Sequence, residues 1–153
     1  MNINELSEKN LHEVVNFYKN ATKDYFHLLP VKDCTNEELE NMFLDGESEG
    51  DFTYLFTDKG STLALVTCSK PKAEIVNMCV NFDLVDEGFT QKFLEFVIKQ
   101  FSAITRVFIW VCSLDGKISE MLENYGFEYT GEQKYISKEH NLLQFRYVYK
   151  RKK

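Results

Sequence analysis

Residues 73–127 decide the fold of this chain, and they open with the extended apolar run AEIVNMCV at residues 73–80. The acidic turn VDEGFT at residues 85–90 follows, and it begins an amphipathic helix that we predict to continue through Phe101. The backbone N–H groups at a helix N-terminus converge after a tight turn, so they bind an anion without the help of a side chain. This turn therefore predicts a site for a diphosphate.

The second half of the same stretch predicts another strand and another helix. Residues 106–112 are dense in β-branched and aromatic side chains, which favours a central strand. Ser113 or Asp115 would cap a helix that ends at Tyr125, because short polar side chains accept hydrogen bonds from free N–H groups in the first turn. The chain then turns at Gly126-Phe127.

These elements, with their spacing, resemble the acetyl-CoA-binding core of the GNAT superfamily of N-acyltransferases. In that family a strand with an apolar end precedes a Gln/Arg-x-x-Gly-x-Gly/Ala loop and a helix. Val80 holds the strand end here, and Gly88 and Thr90 hold the two small positions of the loop. Further on, the family has an Asn, a helix with an Ala and a Tyr, and a Gly-Phe pair. The residues at those places are Asp115, Ile118, Leu122, Gly126 and Phe127.

The resemblance implies an α/β (α+β) fold in which helices flank a mixed, mostly antiparallel central sheet, with residues 1–153 as a single domain. It also implies a V-shaped gap between strands 73–80 and 106–112 that takes the pantetheine arm of acetyl-CoA. The amides of the arm would pair with the free main chain of the first strand, and the diphosphate would lie on the loop that follows. The implied cofactor-binding residues are Met78, Cys79, Val80, Val85, Asp86, Glu87, Gly88, Phe89, Thr90 and Asp115.

The activity that the resemblance implies is transfer of an acetyl group from acetyl-CoA, as cosubstrate, to an amine by direct attack. Glu74 is the candidate base, because the run at residues 73–76 resembles the same strand of histone-type acetyltransferases. An acidic side chain in an apolar strand has its pKa raised by desolvation, which suits a base at neutral pH. Alternating strand residues face opposite sides, so a Glu74 that points to solvent is the other interpretation.

Several signature side chains of the family are missing. Val85 stands where a Gln or Arg usually faces the diphosphate, and Asp86 and Glu87 stand where basic residues are common. Each carboxylate beside a phosphate adds repulsion of ~1 kcal/mol at an exposed site. Leu122 replaces the family tyrosine that protonates the departing thiolate. A second hypothesis follows, in which the chain is a catalytically weak or inactive acyl-CoA-binding or regulatory module of the same fold.

The flanking sequence predicts the remaining elements. Thr35 and Glu38 form a capping-box pattern at the start of a helix. Tyr25 and Phe26 lie in the helical region that lines the acceptor pocket in this fold, although their periodic spacing also fits core residues. The predicted elements are a strand at 2–6, a helix at 10–29 stopped by Pro30, a hairpin of strands 52–57 and 61–68, and final strands at 127–135 and 142–149.

Composition limits the classes of partner. The net charge of −6 argues against nucleic-acid binding and favours a cationic acceptor, a small molecule or peptide with an amine. The basic tail at residues 150–153 is interpreted as a solvated terminus. No apolar run reaches the length of a membrane span and no leader pattern opens the chain, so we expect a cytoplasmic protein. A homodimer through the terminal strands is compatible with the fold.

The four cysteines predict no metal site. They show no Cys-x-x-Cys pair and no histidine at metal-binding spacing. Cys68, Cys79 and Cys112 lie in apolar runs, which indicates buried reduced thiols that act as small hydrophobic side chains. His12, His27 and His140 have no partner residues near them in the sequence, and we expect surface or capping roles for all three.

Overall fold

The computed structural model describes residues 1–152, in which seven strands form one sheet with helices on both of its faces. The strands are β1 (Asn2–Glu5), β2 (Asp51–Asp58), β3 (Ser61–Ser69), β4 (Glu74–Val80), β5 (Arg106–Cys112), β6 (Glu128–Ser137) and β7 (Leu142–Lys150). The helices are α1 (Leu11–Ala21), α2 (Asn36–Ser48), α3 (Glu87–Lys99) and α4 (Gly116–Tyr125), with a 3-10 helix at Phe26–Leu28.

The strand order is β1-β2-β3-β4-β5-β7-β6. Every neighbouring pair is antiparallel except β4 and β5, which are parallel and are joined through α3. A parallel pair needs such a crossover, because its second strand must start again at the same end of the sheet. The predicted mixed, mostly antiparallel sheet is confirmed.

The two faces of the sheet carry separate cores, as the alternation of side chains along a strand requires. On β3, Ala64 and Val66 belong to the core under α3 and α4, whereas Leu65 belongs to the core under α1 and α2. Phe56 of β2 packs edge-to-face on Phe93 of α3 with ring centroids 5.0 Å apart. These layers hold the central strands in place from both sides.

The parallel pair separates soon after it forms. β4 and β5 pair only at Glu74–Phe108 and Ile75–Ile109. On the other edge of β4, the register with β3 skips Val76, so that residue forms a β-bulge. A bulge bends its strand and increases the local twist. β4 therefore leaves β5 after Ile75, and a gap opens toward the carboxyl ends of both strands, as the resemblance implied.

The predicted helix at 10–29 is wrong in its second half. α1 ends at Ala21, and the Thr22 hydroxyl donates a hydrogen bond to the carbonyl of Tyr18, 2.8 Å away. Such a bond from a threonine competes with continuation of the helix. Tyr25 is 7% exposed and packs with Cys112 and other residues of a third small core instead of extending the stripe of α1.

Other local predictions are confirmed. Thr35 and Glu38 form the expected capping box at α2, with bonds of 2.9 and 3.1 Å. Lys59 and Gly60 both have positive φ angles in the turn between β2 and β3, as a tight hairpin requires. Within residues 1–152, no helix combines the length and the apolar character needed to cross a membrane.

The basic tail, of which Lys153 lies outside the described residues, is not freely solvated at Arg151. The Arg151 guanidinium donates to the carbonyls of Ile98, Phe101 and Ile104 at distances of 2.8–3.2 Å. These carbonyls lie at and after the end of α3, where a helix leaves acceptors without partners inside the helix. Arg151 therefore fastens the end of β7 to the end of α3.

Candidate functional site

Two cavities with shared lining residues lie at the gap between β4 and β5. The outer cavity has a volume of about 690 Å³ and lies at the carboxyl end of β4 beside the start of α4. The inner cavity, of about 160 Å³, lies between the diverging strands and reaches β6 and β7 through Ile136 and Gln144. The residues that line both cavities are Thr22, Tyr25, Met78, Cys79, Asp115 and Ile118.

A hydrogen-bonded pair lies where the two cavities meet. The Tyr25 hydroxyl donates to Oδ2 of Asp115 at 2.6 Å, across 90 residues of sequence. Asp115 occupies the N-cap position of α4, but its side chain caps no N–H group of that helix. The prediction that Asp115 caps α4 through its side chain is therefore wrong, because the carboxylate accepts from Tyr25 instead.

Burial sets the protonation of this pair. Desolvation raises the pKa of Tyr25 strongly, and its bond to Asp115 raises it further. Desolvation also raises the pKa of Asp115, against the opposing effect of the Tyr25 hydroxyl. The tyrosine therefore stays neutral and able to donate, and the carboxyl is shifted toward the range in which a base works near neutral pH.

The predicted arm-binding residues lie along one wall of the gap. Met78, Cys79 and Val80 pair with β3 on one side, and their other edge has no β5 partner within residues 1–152. Unpaired main-chain groups at such an edge accept an extended ligand as an added strand. Burial raises the pKa of the Cys79 thiol to about 12, so this cysteine remains a neutral thiol in the wall.

The start of α3 is capped by its own carboxylate. Oδ1 of Asp86 accepts from the N–H of Phe89 at 2.8 Å. The same oxygen would lie 3.3 Å from a Cβ atom added to Gly88, so the carboxylate lies close above that glycine. The N–H of Thr90 already donates to the main-chain oxygen of Asp86. Two of the amides assigned to the diphosphate are thus bonded within the protein.

The other predicted loop residues lie outside both cavities. Val85 packs against the core under α3, and Glu87 is exposed. None of residues 85–90 lines either cavity.

The charged residues at the outer cavity are mostly acidic. They comprise Asp24, Asp115 and Glu120, with Lys117 as the one cation among the lining residues that the structure describes. Nζ of Lys117 lies 5.9 Å from the ring centroid of Phe82, which also lines the outer cavity. Sequence reasoning did not identify Lys117, because a lone lysine in the first turn of a helix carries no motif.

Glu74 lies at the opposite end of β4 from the gap. It is the first residue of the strand, half-buried, and stands between Ser69 of β3 and Phe108 of β5. It lines neither cavity. Of the acidic side chains proposed from the sequence, Asp115 is the one that the fold brings into the gap.

Leu122 and Phe26, two other residues considered in the sequence analysis, pack against hydrophobic side chains. Leu122, at the place of the family tyrosine, is fully buried in the core under α3 and α4. Phe26 packs edge-to-face against Tyr18. Across residues 1–152, no three His, Cys, Asp or Glu side chains gather as a metal site would require.

Comparison with known proteins identifies the fold. No protein-family model and no curated protein matches the chain. Among solved structures, the ribosomal-protein-alanine N-acetyltransferase from Brucella melitensis is similar over 99% of this chain and all of its own, with a TM-score of 0.76 and 10% identity. Spermidine N-acetyltransferase from Vibrio cholerae, in complex with CoA and spermine, matches 97% of this chain and 94% of its own, with a TM-score of 0.72 and 12% identity.

A third structure carries the family name. The acetyltransferase of the GNAT family from Streptococcus pneumoniae matches 98% of this chain and 99% of its own, with a TM-score of 0.70 and 18% identity. These similarities extend over almost the full length of each chain. The chain has the GNAT acyltransferase fold.

Proposed function

We propose that the protein is an N-acetyltransferase that moves an acetyl group from acetyl-CoA to an amine by direct transfer. The observation that carries the proposal is the gap between β4 and β5, which contains an unpaired strand edge and a hydrogen-bonded pair of the buried Tyr25 and the half-buried Asp115. The fold supports the class of reaction but leaves the acceptor open. The fold alone would also suit an inactive module, whereas a proton-handling pair inside the gap favours a catalyst.

The residues present fit one part of acetyl-CoA and not another. The open edge at Met78, Cys79 and Val80 suits the pantetheine arm, since a main-chain edge pairs with amides whatever side chains it carries. The N-terminus of α3 does not suit the diphosphate, because the Asp86 carboxylate already accepts a hydrogen bond from the Phe89 N–H. Acetyl-CoA would supply the activated acyl thioester, and this protein would supply the edge that holds its arm in the gap.

The amine of the acceptor must lose a proton before it attacks, and Asp115 is placed to accept it. Its second carboxylate oxygen is free to face the cavity, while Tyr25 holds the first. Tyr25 is then a positioning residue that fixes the direction of the carboxylate. Glu74 stays the alternative base, and it would act through water because it lies outside the gap.

The acceptor is proposed to be a small-molecule or peptide amine. The inner cavity is narrow and reaches Trp110 and Gln144, which would admit an amine at the end of an extended chain. The acidic net charge of the protein favours a cationic acceptor. The similar enzymes named above make spermidine, spermine and a peptide with an N-terminal alanine the first compounds to test.

The proposal is tested by binding and then by turnover. Calorimetry with acetyl-CoA at millimolar concentration should show heat, and the acceptor panel should then yield an acetylated product. Asp115→Asn should reduce kcat by about 10²–10⁴-fold with the affinity for acetyl-CoA unchanged, because removal of a positioned base has effects of that size. Glu74→Gln is the matched control, with a change of less than about threefold expected.

The outcomes separate the alternatives. A large loss in Glu74→Gln and none in Asp115→Asn would transfer the base role to Glu74. Binding without any product for the whole panel would favour the non-catalytic module. Absence of both binding and turnover would overturn the proposal.

A further inference from the structure

We propose that this protein recognises its acyl donor by the pantetheine arm, and that the nucleotide diphosphate adds almost nothing to binding. The substrate class is then pantetheine thioesters in general, with or without the nucleotide. The inference rests on the proposed function, because the same gap must take the arm. It follows from a difference between two parts of the donor site. The open edge of β4 suits the arm, and the N-terminus of α3 does not suit the diphosphate.

The cap at the start of α3 leaves little room for a diphosphate. A helix N-terminus attracts an anion because its first N–H groups lack partners inside the helix. Asp86 already places an anion there, with Oδ1 2.8 Å from the Phe89 nitrogen and directly beside Gly88. A diphosphate would have to displace a carboxylate that is tethered to the same helix. The tethered group has the advantage, since it has no translational freedom to lose.

The charge around the turn before α3 is mostly negative. Asp83, Asp86 and Glu87 are exposed within five residues of one another, and the first basic residue after them is Lys92, in the second turn of α3. Asp24 lines a smaller pocket together with Asp83, and it lines the outer cavity together with Glu120. A diphosphate is strongly anionic, so each of these carboxylates opposes its approach. Lys117 alone would offset them within the described lining of that cavity.

The part of the site that would hold the pantetheine arm has no such conflict of charge. The pantetheine arm is a neutral chain that carries amide groups, and the unpaired edge at residues 78–80 offers main-chain partners for them. Met78 and Cys79 line both cavities, so the edge runs from the outer cavity into the inner one. Binding free energy is therefore available from the arm and largely cancelled at the diphosphate.

The experiment compares two ligands and three variants by calorimetry. Wild-type protein should bind coenzyme A and pantetheine with dissociation constants within about threefold of each other, because opposed charges cancel the diphosphate contribution. Asp86→Ser removes the carboxylate but keeps a hydroxyl that can cap α3. It should bind coenzyme A about tenfold more tightly, with pantetheine unchanged. The gain should weaken as salt is raised.

Two further variants keep the test falsifiable. Asp86→Asn has almost the shape of the native side chain and should give the same gain, so a folding defect in one variant does not decide the result. Asp83→Asn removes a nearby exposed charge without touching the cap, and it should gain less than about threefold. An equal gain in Asp83→Asn would overturn the specific role of Asp86.

The result that overturns the inference differs from the result that overturns the proposed function. Coenzyme A bound at least about tenfold more tightly than pantetheine by the wild type would overturn the inference and leave the acetyltransferase proposal intact. Failure of both ligands to bind at millimolar concentration would overturn both. Tight pantetheine binding with no effect of Asp86→Ser on coenzyme A would again overturn the inference alone.

Discussion

The carboxylate of Asp115 is half-buried in the gap, and Tyr25 is its one side-chain hydrogen-bond donor among the described residues. Burying a charge is unfavourable unless partners compensate for the lost hydration. A single neutral hydroxyl compensates only in part, which is why the pKa of Asp115 remains raised. Asp115 therefore provides a carboxylate for catalysis and lowers the free energy of unfolding.

The first prediction is that the destabilisation of the fold by Asp115 depends on pH. A carboxyl whose pKa is higher in the folded state binds more protons folded than unfolded, so its contribution to stability is favourable at low pH and is lost as the pH rises through its folded pKa. Asp115→Asn should thus be more stable than the wild type at about pH 7 and should lose this advantage toward about pH 4.

Thermal unfolding across that pH range measures the difference. Asp83→Asn is the control, because it replaces an exposed carboxylate at a neighbouring surface. If the wild type became more stable relative to Asp115→Asn as the pH rose, Asp115 would be a stabilising partner and not a strained one.

The sequence identified Asp115 as a candidate site residue but did not predict its hydrogen bond with Tyr25. Asp115 followed a predicted strand and preceded a predicted helix, which allowed a cap or a cofactor-binding role. Its bond to Tyr25 depends on the early end of α1 at Ala21, and the helical spacing through Leu29 concealed that end. Contacts across 90 residues arise from the packing of whole elements, so a local pattern does not reveal them.

At the scale of elements, the bulge at Val76 is the feature that opens the gap. The order of strands and helices was predictable because each has a strong period, cap or turn signal, such as the capping box at Thr35 and the hairpin at Lys59-Gly60. The bulge was not predictable in the same way. It inserts an ordinary valine into an apolar run, and no composition signal marks it.

The second prediction concerns that bulge. Deletion of Val76 should restore continuous register between β3 and β4, straighten β4 beside β5 and close the cleft. Pantetheine and coenzyme A should then lose binding by at least about tenfold while the circular dichroism spectrum stays native. Val76→Ala is the matched control, because it keeps the extra residue and should bind normally. Unchanged binding by the deletion variant would show that the gap does not depend on the bulge.

At the scale of the whole molecule, the sheet unites two cores that no single segment could form. Leu122 on α4 is completely buried in one of them, and Leu39 on α2 is completely buried in the other. The resemblance to the GNAT superfamily could be recognised from the spacing of the strands, turns and helices. That spacing preserves the layered packing even where the signature side chains have changed.

The third prediction tests that packing. Leu122→Ala should lower the free energy of unfolding by about 2–5 kcal/mol, as truncation of a fully buried leucine leaves a cavity. Urea denaturation should show one transition at a lower midpoint. Glu120→Ala, an exposed position on the same helix, should change stability by less than about 0.5 kcal/mol. A small effect of Leu122→Ala would mean that the helix is loosely attached.

Arg151 holds one end of α3 more firmly than the other end is held. Its guanidinium holds the carbonyls of Ile98, Phe101 and Ile104, so the far end of the helix is fixed to the last strand. The near end has only partly buried contacts, since Val85 and Phe89 pack at the border of the core and the exposed Asp86 caps the first turn. Rearrangement on docking of a donor should therefore be confined to residues 81–86 and the first turn, which would act as a hinge while the remainder of the helix stays still. Hydrogen exchange should accordingly be fast at that end and slow near residues 97–101.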